Sequence, residues 1–418
     1  MTAEIAILNP HGVALAADSA VTIGSKKIIN SAIKLFSLSK TEPVGVMVYG
    51  NANLLNIPWE TLIKIYRQQH SKSRFEKLEN YAESFLSFLK EKSTTFDLEI
   101  QDQWLESQIT FMFNFVSNQY SAQCNQKTIR GEPILEDEEK DILLDILKKL
   151  EKYHTEYIST FSLDINLIDS KIKMVSEPLI KHYFNDFLKY PEIVSLLNNL
   201  VTLAITNNSF LEASTGLVIA GFGDDDIFPS VKTYQISGYF ENHLIYKVDE
   251  EKTIINNNTG MRSGIIAFAQ EDVVNSFIRG FDPELHQFCF DYLESMSDEF
   301  IRRIPNLNPV EISKLIQDFK INLSDFNESL RKEILDRHLS PMIDMIGVLP
   351  KDELATMAET LVNITAFKRK MAFSSLETVG GPIDVAVISK GDGLVWVKRK
   401  QYFPANLNQH FFDNYFKD

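Results

Sequence analysis

Short apolar segments open and close the chain, and longer amphipathic segments lie between them. Residues 3–8 and 13–17 are mostly small or branched apolar residues separated by turn residues at 9–12, which predicts a β-hairpin at the start. Residues 383–389 and 394–399 flank a glycine-containing turn and predict a second hairpin near the end. Further strands are predicted at 26–30, 33–38, 44–49, 215–222, 231–237 and 243–248, the first two as a pair.

The remaining segments carry apolar residues at helical spacing. They predict helices over about 54–69 and 75–92, and helical segments over about 97–207 and 270–370. Strands drawn from both ends of the chain, with helices between them, predict an α+β layered fold. The core is expected in three parts, with two helical insertions: core 1–96, insertion 97–210, core 211–280, insertion 281–345 and core 346–418.

Composition and charge narrow the classes of partner. The 418 residues carry a net charge of −15, whereas nucleic-acid-binding surfaces are basic, so we predict no nucleic-acid partner. No apolar run approaches the roughly 20 residues that a membrane span needs. The N-terminal residues lack the basic and apolar segments of an export signal. We therefore expect a cytoplasmic protein without a membrane partner.

Cysteine and histidine usage does not indicate a metal or a cofactor. Cys124 and Cys289 lie far apart without a CxxC or Cys/His cluster, and we interpret them as buried thiols in a reducing compartment. The eight histidines are scattered, without zinc-ligand spacing. The acidic triplet at 224–226 is typical of a polar turn between two strands. We predict no metal site and no cofactor.

Thr2 is the first candidate for chemistry, because it directly follows the initiator methionine. Removal of Met1 would leave a threonine with both a hydroxyl and a free α-amine. That amine has an ordinary pKa of about 7.7–8.0, so its neutral form can accept the hydroxyl proton. Thr2 would then be a nucleophile that carries its own base. Many chains begin Met-Thr without any such role, so the dipeptide alone is a weak signal.

Three more residues interrupt or end apolar segments. Asp18 ends the second predicted strand and would lie at the rim of a core, either as a strand-end residue or as a functional carboxylate. Lys34 lies among apolar residues, either as an edge residue or as a partly buried ammonium that needs a carboxylate partner. Beside Thr2, an Asp18–Lys34 pair would lower the nucleophile's pKa. Gly50 follows a strand, either as a plain turn or as an N–H donor to an oxyanion.

These residues resemble a known family. The stretch 2–24, and above all 11–19 (His-Gly-Val-Ala-Leu-Ala-Ala-Asp-Ser), is similar to the start of proteasome β-subunits and HslV. Asp18 follows Thr2 by sixteen residues and Lys34 follows Asp18 by sixteen, which matches that family's catalytic set. Residues 49–52, with Gly50 as donor, resemble its oxyanion segment. Residues 217–222 and 379–388 resemble its mid-chain strand and its late Gly-Gly turn. A bacterial branch of ancestral proteasome-like subunits is an alternative relative, although its members are much shorter.

The resemblance implies an N-terminal-nucleophile (Ntn) hydrolase with an αββα sandwich of antiparallel sheets. It implies a threonine peptidase that hydrolyses polypeptides and assembles into a ring or ring-like homo-oligomer, with an ATP-dependent unfoldase as a further partner. It also implies a specificity pocket, for which we predict apolar walls and cleavage after apolar residues. The residues carried over to that pocket are Val21, Ala32, Phe36 and Ala52.

The sequence departs from the family near the last strand. Relatives carry a supporting Asp and Ser there, where this chain has Leu376 and Val379, and Ser375, Glu377 or Thr378 are the nearby substitutes. Ser263 matches a family serine at the start of a central helix only loosely. Two alternatives therefore stay open: an Ntn amidase acting on a small amide, and a non-catalytic scaffold or regulatory subunit.

Overall fold

The computed structural model describes residues 3–23, 27–129, 135–156, 165–207, 214–257, 260, 262–371 and 379–416. Antiparallel pairing builds two five-stranded sheets from strands that lie far apart in the sequence. The strands are β1 (Ala3–Asn9), β2 (Gly12–Ala17), β3 (Val21–Ile23), β4 (Lys27–Ile29), β5 (Leu35–Ser37), β6 (Val44–Gly50), β7 (Asn53–Leu54), β8 (Ile57–Pro58), β9 (Thr215–Gly221), β10 (Ser230–Phe240), β11 (His243–Val248), β12 (Gly264–Ala269), β13 (Asp384–Ser389) and β14 (Gly393–Lys398).

The first sheet has the order β12-β1-β2-β13-β14, and the second has the order β11-β10-β9-β6-β5. Two short hairpins, β3-β4 and β7-β8, stand beside them. The helices are α1 (Trp59–Gln69), α2 (Leu78–Glu91), α3 (Leu98–Ile129), α4 (Glu136–Glu156), α5 (Ile165–Tyr183), α6 (Pro191–Thr206), α7 (Glu271–Arg279), α8 (Pro283–Arg302), α9 (Pro309–Ile334), α10 (Ser340–Val348), α11 (Lys351–Met371) and α12 (Gln409–Phe416). The α+β prediction is therefore confirmed.

The two sheets pack face to face, and helices cover both outer faces. Alternate residues of β1 separate the layers: Ala6 and Leu8 join the core between the sheets, whereas Ile5 and Ile7 pack against helices. Helices α7, α10 and α11 contribute to the core outside the first sheet. Helices α1 and α2 cover the second sheet. Because both faces of β1 and β2 are buried, these strands are apolar almost throughout.

The other helices form separate groups. Helices α3 to α6 share a core of their own, which Phe240 and Ile245 at the end of the second sheet also join. Trp104 on α3 reinforces that junction, because its indole N–H donates to the carbonyl oxygen of Ser237 over 2.9 Å. Helices α8 and α9 pack against each other through stacked rings of Phe290 and Phe326, whose centroids are 5.7 Å apart.

Several local predictions were wrong. Residues 26–30 and 33–38 do not pair: β4 pairs with β3, and β5 pairs with β6. The first helix begins at Trp59, because Pro58 holds an extended conformation that closes the small β7-β8 hairpin. Strand β12 was missed, since six mostly apolar residues do not distinguish a strand from a helix. Cys124 is half-buried and Cys289 is exposed, so neither is a buried thiol.

Asn9 fixes the end of β1 to the first helical layer. Its side-chain nitrogen donates to the carbonyl oxygens of Ile346 and Leu349, both over 2.7 Å, at the end of α10. Its side-chain oxygen accepts from the backbone N–H of His11 over 2.8 Å. The residue is fully buried. These bonds satisfy carbonyl groups that a helix end leaves without partners within the helix.

We predict that Asn9→Ala destabilises the protein by about 3 kcal/mol, since it removes one buried and two partly buried hydrogen bonds worth about 1 kcal/mol each. Urea unfolding followed by circular dichroism measures the change. Asn322→Ala, at an exposed position of α9, is the control and should change stability by less than about 0.5 kcal/mol. Equal effects of the two substitutions would contradict the role of Asn9.

Candidate active site

Asp18 lies at the centre of a buried hydrogen-bond cluster directly after β2. The side chain is fully buried, and four donors surround its two oxygens. Oδ1 accepts from Ala3 N over 3.2 Å and from Lys34 Nζ over 2.6 Å, and Oδ2 accepts from Ala20 N over 3.2 Å and from Gly380 N over 3.0 Å. Donors from four parts of the chain therefore fix the orientation of one carboxylate.

Lys34 is the charged partner of Asp18. It lies directly before β5 and is 5% exposed, so its ammonium is almost removed from water. Besides the bond to Asp18, Nζ donates to the carbonyl oxygen of Ala20 over 2.7 Å. The backbone also holds this residue, because the carbonyl oxygen of Lys34 accepts from Val48 N over 3.0 Å. Removal of either member of a buried pair leaves an uncompensated charge.

The start of the chain is attached to this pair. Ala3 donates its N–H to the Asp18 side chain, and the backbone N–H of Asp18 donates to the carbonyl oxygen of Ala3 over 3.1 Å. Thr2 lies outside the described residues, and Ala3 follows it directly. The structure thus brings Asp18 and Lys34 together at the first described residue of the chain.

The late Gly-Gly turn closes the other side of the cluster. In addition to the Gly380 bond to Asp18, the backbone N–H of Ser19 donates to the Gly380 carbonyl oxygen over 3.1 Å. The Ser19 hydroxyl donates to the carbonyl oxygen of Pro382. Gly381 has φ +78°, and a Cβ there would lie 3.2 Å from Ser19 Cβ and 2.9 Å from Asn30 Cβ. Conformation and space therefore both favour glycine at this position.

A second buried ion pair, which was not predicted from the sequence, lies beside the first. Lys400 Nζ contacts Asp384 Oδ2 over 3.0 Å, with the side chains 11% and 2% exposed. Nζ also donates to the Ser19 hydroxyl, and the backbone N–H of Lys400 donates to Asp384 Oδ1 over 2.8 Å. Burial lowers the pKa of Lys400, while the Asp384 carboxylate opposes that shift. Through Ser19, this pair supports the residue next to Asp18.

A pocket of 190 Å³ opens next to Lys34. Four other residues singled out from the sequence line it: Val21, Ala32, Gly50 and Ala52. Phe36, which was also predicted to line the pocket, does not line it. Phe36 is 5% exposed and packs in the core with α1 and α2, because it lies on the opposite face of β5 from the inner layer. Three polar residues that the sequence interpretation omitted also line the pocket: Asn51, Asn53 and Glu60.

Gly50 occupies a position that excludes a side chain. Its φ is +85°, and a Cβ would lie only 2.4 Å from the carbonyl oxygen of Ser214. The glycine ends β6 opposite Thr215 of β9, and it lines the pocket together with Lys34. The local backbone conformation and the lack of space for a side chain therefore require glycine at this position, independently of any role of its N–H.

The structure describes only some of the positions at which the sequence departs from the resembled family. Val379 is 1% exposed and packs with the helices outside the first sheet, so it contributes to the core. Leu376 and the substitutes at 375, 377 and 378 lie outside the described residues. Ser263 precedes strand β12, not a helix, so the match to a helix-start serine was wrong.

The acidic turn at 224–226 has a structural role in the described part of the chain. Asp226 Oδ2 accepts from the backbone N–H groups of Leu78 and Gly223, both over 2.8 Å, at the start of α2. Across the described ranges, no group of three or more His, Cys, Asp and Glu side chains is arranged to hold a metal ion. None of the helices in those ranges combines the length and apolarity that crossing a membrane requires.

Comparison with known proteins corrects the resemblance drawn from the sequence. No protein-family model and no curated protein matches the chain. The chain is similar to a helical assembly of the Anbu complex from Pseudomonas aeruginosa, at 10% identity and a TM-score of 0.26, over 99% of this chain and 93% of that one. It is similar to Anbu (ancestral beta-subunit) from Yersinia bercovieri, at 10% identity and a TM-score of 0.27, over 99% and 94%.

A third similar structure is an Anbu (Gly-1) mutant from Hyphomicrobium sp. strain MC1, at 9% identity and a TM-score of 0.28, over 99% of this chain and 94% of that one. These solved structures are Anbu proteins, a proteasome-like but distinct family. The assignment to proteasome β-subunits and HslV was therefore wrong.

Proposed function

We propose that the protein is an Ntn hydrolase of the threonine-peptidase type, in which Thr2 attacks the carbonyl carbon of a peptide bond after Met1 is removed. The observation that carries the proposal is the attachment of Ala3, the residue after Thr2, to the buried Asp18–Lys34 pair. Two facing antiparallel sheets between helical layers support the αββα architecture that this class of enzyme uses.

The chemistry needs a base and a positive charge near the hydroxyl. The α-amine of Thr2 takes the hydroxyl proton, the Thr2 oxygen bonds to the carbonyl carbon, and the amine then returns the proton to the leaving nitrogen as the C–N bond breaks. Water hydrolyses the resulting ester. The ammonium of Lys34, held by Asp18, lowers the pKa of the amine because it disfavours the amine's cation, and it lowers the pKa of the hydroxyl because it stabilises the hydroxyl's anion.

The pocket beside Lys34 provides a place for one side chain of the substrate. In the proposal, Val21, Ala32 and Ala52 contact the side chain before the scissile bond, and the Gly50 N–H donates to the oxyanion. Polypeptide is the proposed substrate class. A ring or ring-like homo-oligomer, an ATP-dependent unfoldase partner and a cytoplasmic location stay predictions.

We predict that the purified full-length chain lacks Met1 and that an epoxyketone or β-lactone probe labels Thr2. The probe requires an activated N-terminal hydroxyl, so Thr2→Ala should abolish labelling. Intact-protein and peptide mass spectrometry measure both results. A retained methionine, or no labelling by either probe, would contradict the proposal and favour a non-catalytic scaffold. Labelling with turnover of small acyl amides, but not of peptides, would indicate an amidase.

Asp18→Asn should reduce the labelling rate of Thr2 at least about 100-fold and destabilise the protein by about 3 kcal/mol, because it leaves the Lys34 ammonium buried without a counter-charge. Asp145→Asn is a matched control, since Asp145 contacts Lys149 over the same 2.6 Å but the two side chains are 55% and 71% exposed. The control should change neither quantity measurably. Labelling kinetics and thermal unfolding give the two readouts, and similar losses in both variants would contradict the role of the pair.

Among fluorogenic peptides ending in Leu, Arg or Glu, we predict the highest kcat/KM for Leu, since three small apolar residues line the pocket. Ala52→Phe should lower that value at least about tenfold by filling the pocket, while Thr2 labelling by a small β-lactone stays within about threefold of wild type. Preference for the Arg peptide would instead show that Glu60 dominates recognition. Equal turnover, or none, for all three peptides would remove the apolar-pocket assignment.

A further inference from the structure

Glu4 is a charged residue inside an otherwise apolar strand. It lies two residues after Thr2, on β1, opposite Ala17 of β2 and Phe268 of β12. Side chains alternate along a strand, so Glu4 shares the face of Ala6, which packs between the two sheets. The residue is 1% exposed. Its carboxyl group is therefore enclosed in the inner layer, at the end of β1 where the Asp18–Lys34 pair lies.

Neither oxygen of this carboxyl group has a hydrogen-bond partner within the described part of the chain. An ionised carboxylate without partners in such surroundings is costly by several kcal/mol, whereas the neutral acid loses far less. Burial accordingly raises the pKa of Glu4 well above its ordinary value, and Lys34 only partly opposes that shift. Asp18 raises the pKa further and Lys400 lowers it.

The charges around Glu4 are already balanced. Lys34 faces Asp18, and Lys400 faces Asp384, so each buried ammonium has its own aspartate. Tyr49 approaches the inner layer from β6, and burial raises its pKa as well, with Asp249 and Glu4 as added causes. On the far side of Tyr49, Lys252 lies 5.5 Å from its ring centroid and pairs with Glu271. Glu4 is thus a third carboxyl group beside two complete ion pairs.

We propose that Glu4 is a positioning residue for Lys34: its neutral carboxyl group leaves the ammonium paired with Asp18, and its ionisation adds a negative charge that cancels the effect of Lys34 on the N-terminus. This inference rests on the proposed function. An ionised Glu4 stabilises a protonated α-amine, and a protonated amine cannot accept the hydroxyl proton. The neutral acid therefore keeps the Thr2 amine available as a base.

The first arm of the test measures the protonation of Glu4 without any reference to activity. Because the folded-state pKa is raised, the stability contributed by the bound proton is complete below the unfolded-state pKa and is lost as the pH rises through the folded-state pKa. Glu4→Gln cannot undergo that loss. The Tm of Glu4→Gln minus that of wild type should therefore rise as the pH increases above the ordinary glutamate pKa of about 4.3.

Two further variants make this arm decisive. Glu328→Gln, at an exposed position of α9, is the matched control and should show a Tm difference that does not depend on pH. Glu4→Leu, which is apolar and of similar length, covers the case in which a buried amide destabilises Glu4→Gln. Its Tm difference from wild type should show the same rise with pH. A pH-independent difference for both Glu4 variants would overturn the neutral state of Glu4.

The second arm measures the pH dependence of Thr2 labelling by a β-lactone. The ratio of the Glu4→Gln rate to the wild-type rate should rise above one where Glu4 is ionised while the amine is still largely protonated, by up to about tenfold for one unit of pKa at the amine, and should be close to one at lower and at higher pH. A purely structural role would lower the rate by one factor at every pH, and that result would overturn the positioning role. Absence of labelling in wild type would remove the proposed function and the positioning role together, while the first arm would still decide the protonation of Glu4.

Discussion

The buried ion pair between Asp18 and Lys34 is the interaction on which the site depends. Its atoms lie 2.6 Å apart with the side chains 0% and 5% exposed, so the cost of removing both charges from water is large. Such a pair persists only where further hydrogen bonds complete both groups. Asp18 receives those bonds from Ala3, Ala20 and Gly380, which lie 15, 2 and 362 positions away. In the folded protein, bonds from both ends of the chain therefore complete the pair.

Local pattern predicted those parts of the fold that local interactions determine. Apolar runs bounded by turn residues predicted the first and last hairpins, β6, and the strands β9, β10 and β11 of the second sheet. Partner choice did not follow, because β1 pairs with β12 across more than two hundred residues and nothing in either segment specifies the other. The error at 26–30 is local: β4 is a short strand that pairs back to β3, which was not predicted, while β5 joins the main sheet.

The residues of the site likewise divide into those that the sequence predicted and those that it did not. Asp18 and Lys34 were found because each is a charge next to apolar residues, and a buried charge needs a partner. Glu4 carries the same signal within β1 and was passed over. Lys400 and Asp384 gave no usable signal, since their proximity to Ser19 depends on the register that sets Asp384 opposite Ala17. The sequence predicted the turn that contains Gly380. The hydrogen bond from Gly380 N to Asp18 depends on the tertiary fold and could not be predicted.

Burial places a general constraint on such a site, because the total charge must stay close to zero. Two lysines and two aspartates cancel within it, so any further charge, on Glu4 or on an α-amine, requires an opposite charge or stays unformed. An α-amine can accept a proton only when it is neutral. The carboxyl group of Glu4 must also be neutral if that amine is to stay neutral. The same exclusion of water that makes the ion pairs costly thus selects the protonation state that the proposed chemistry needs.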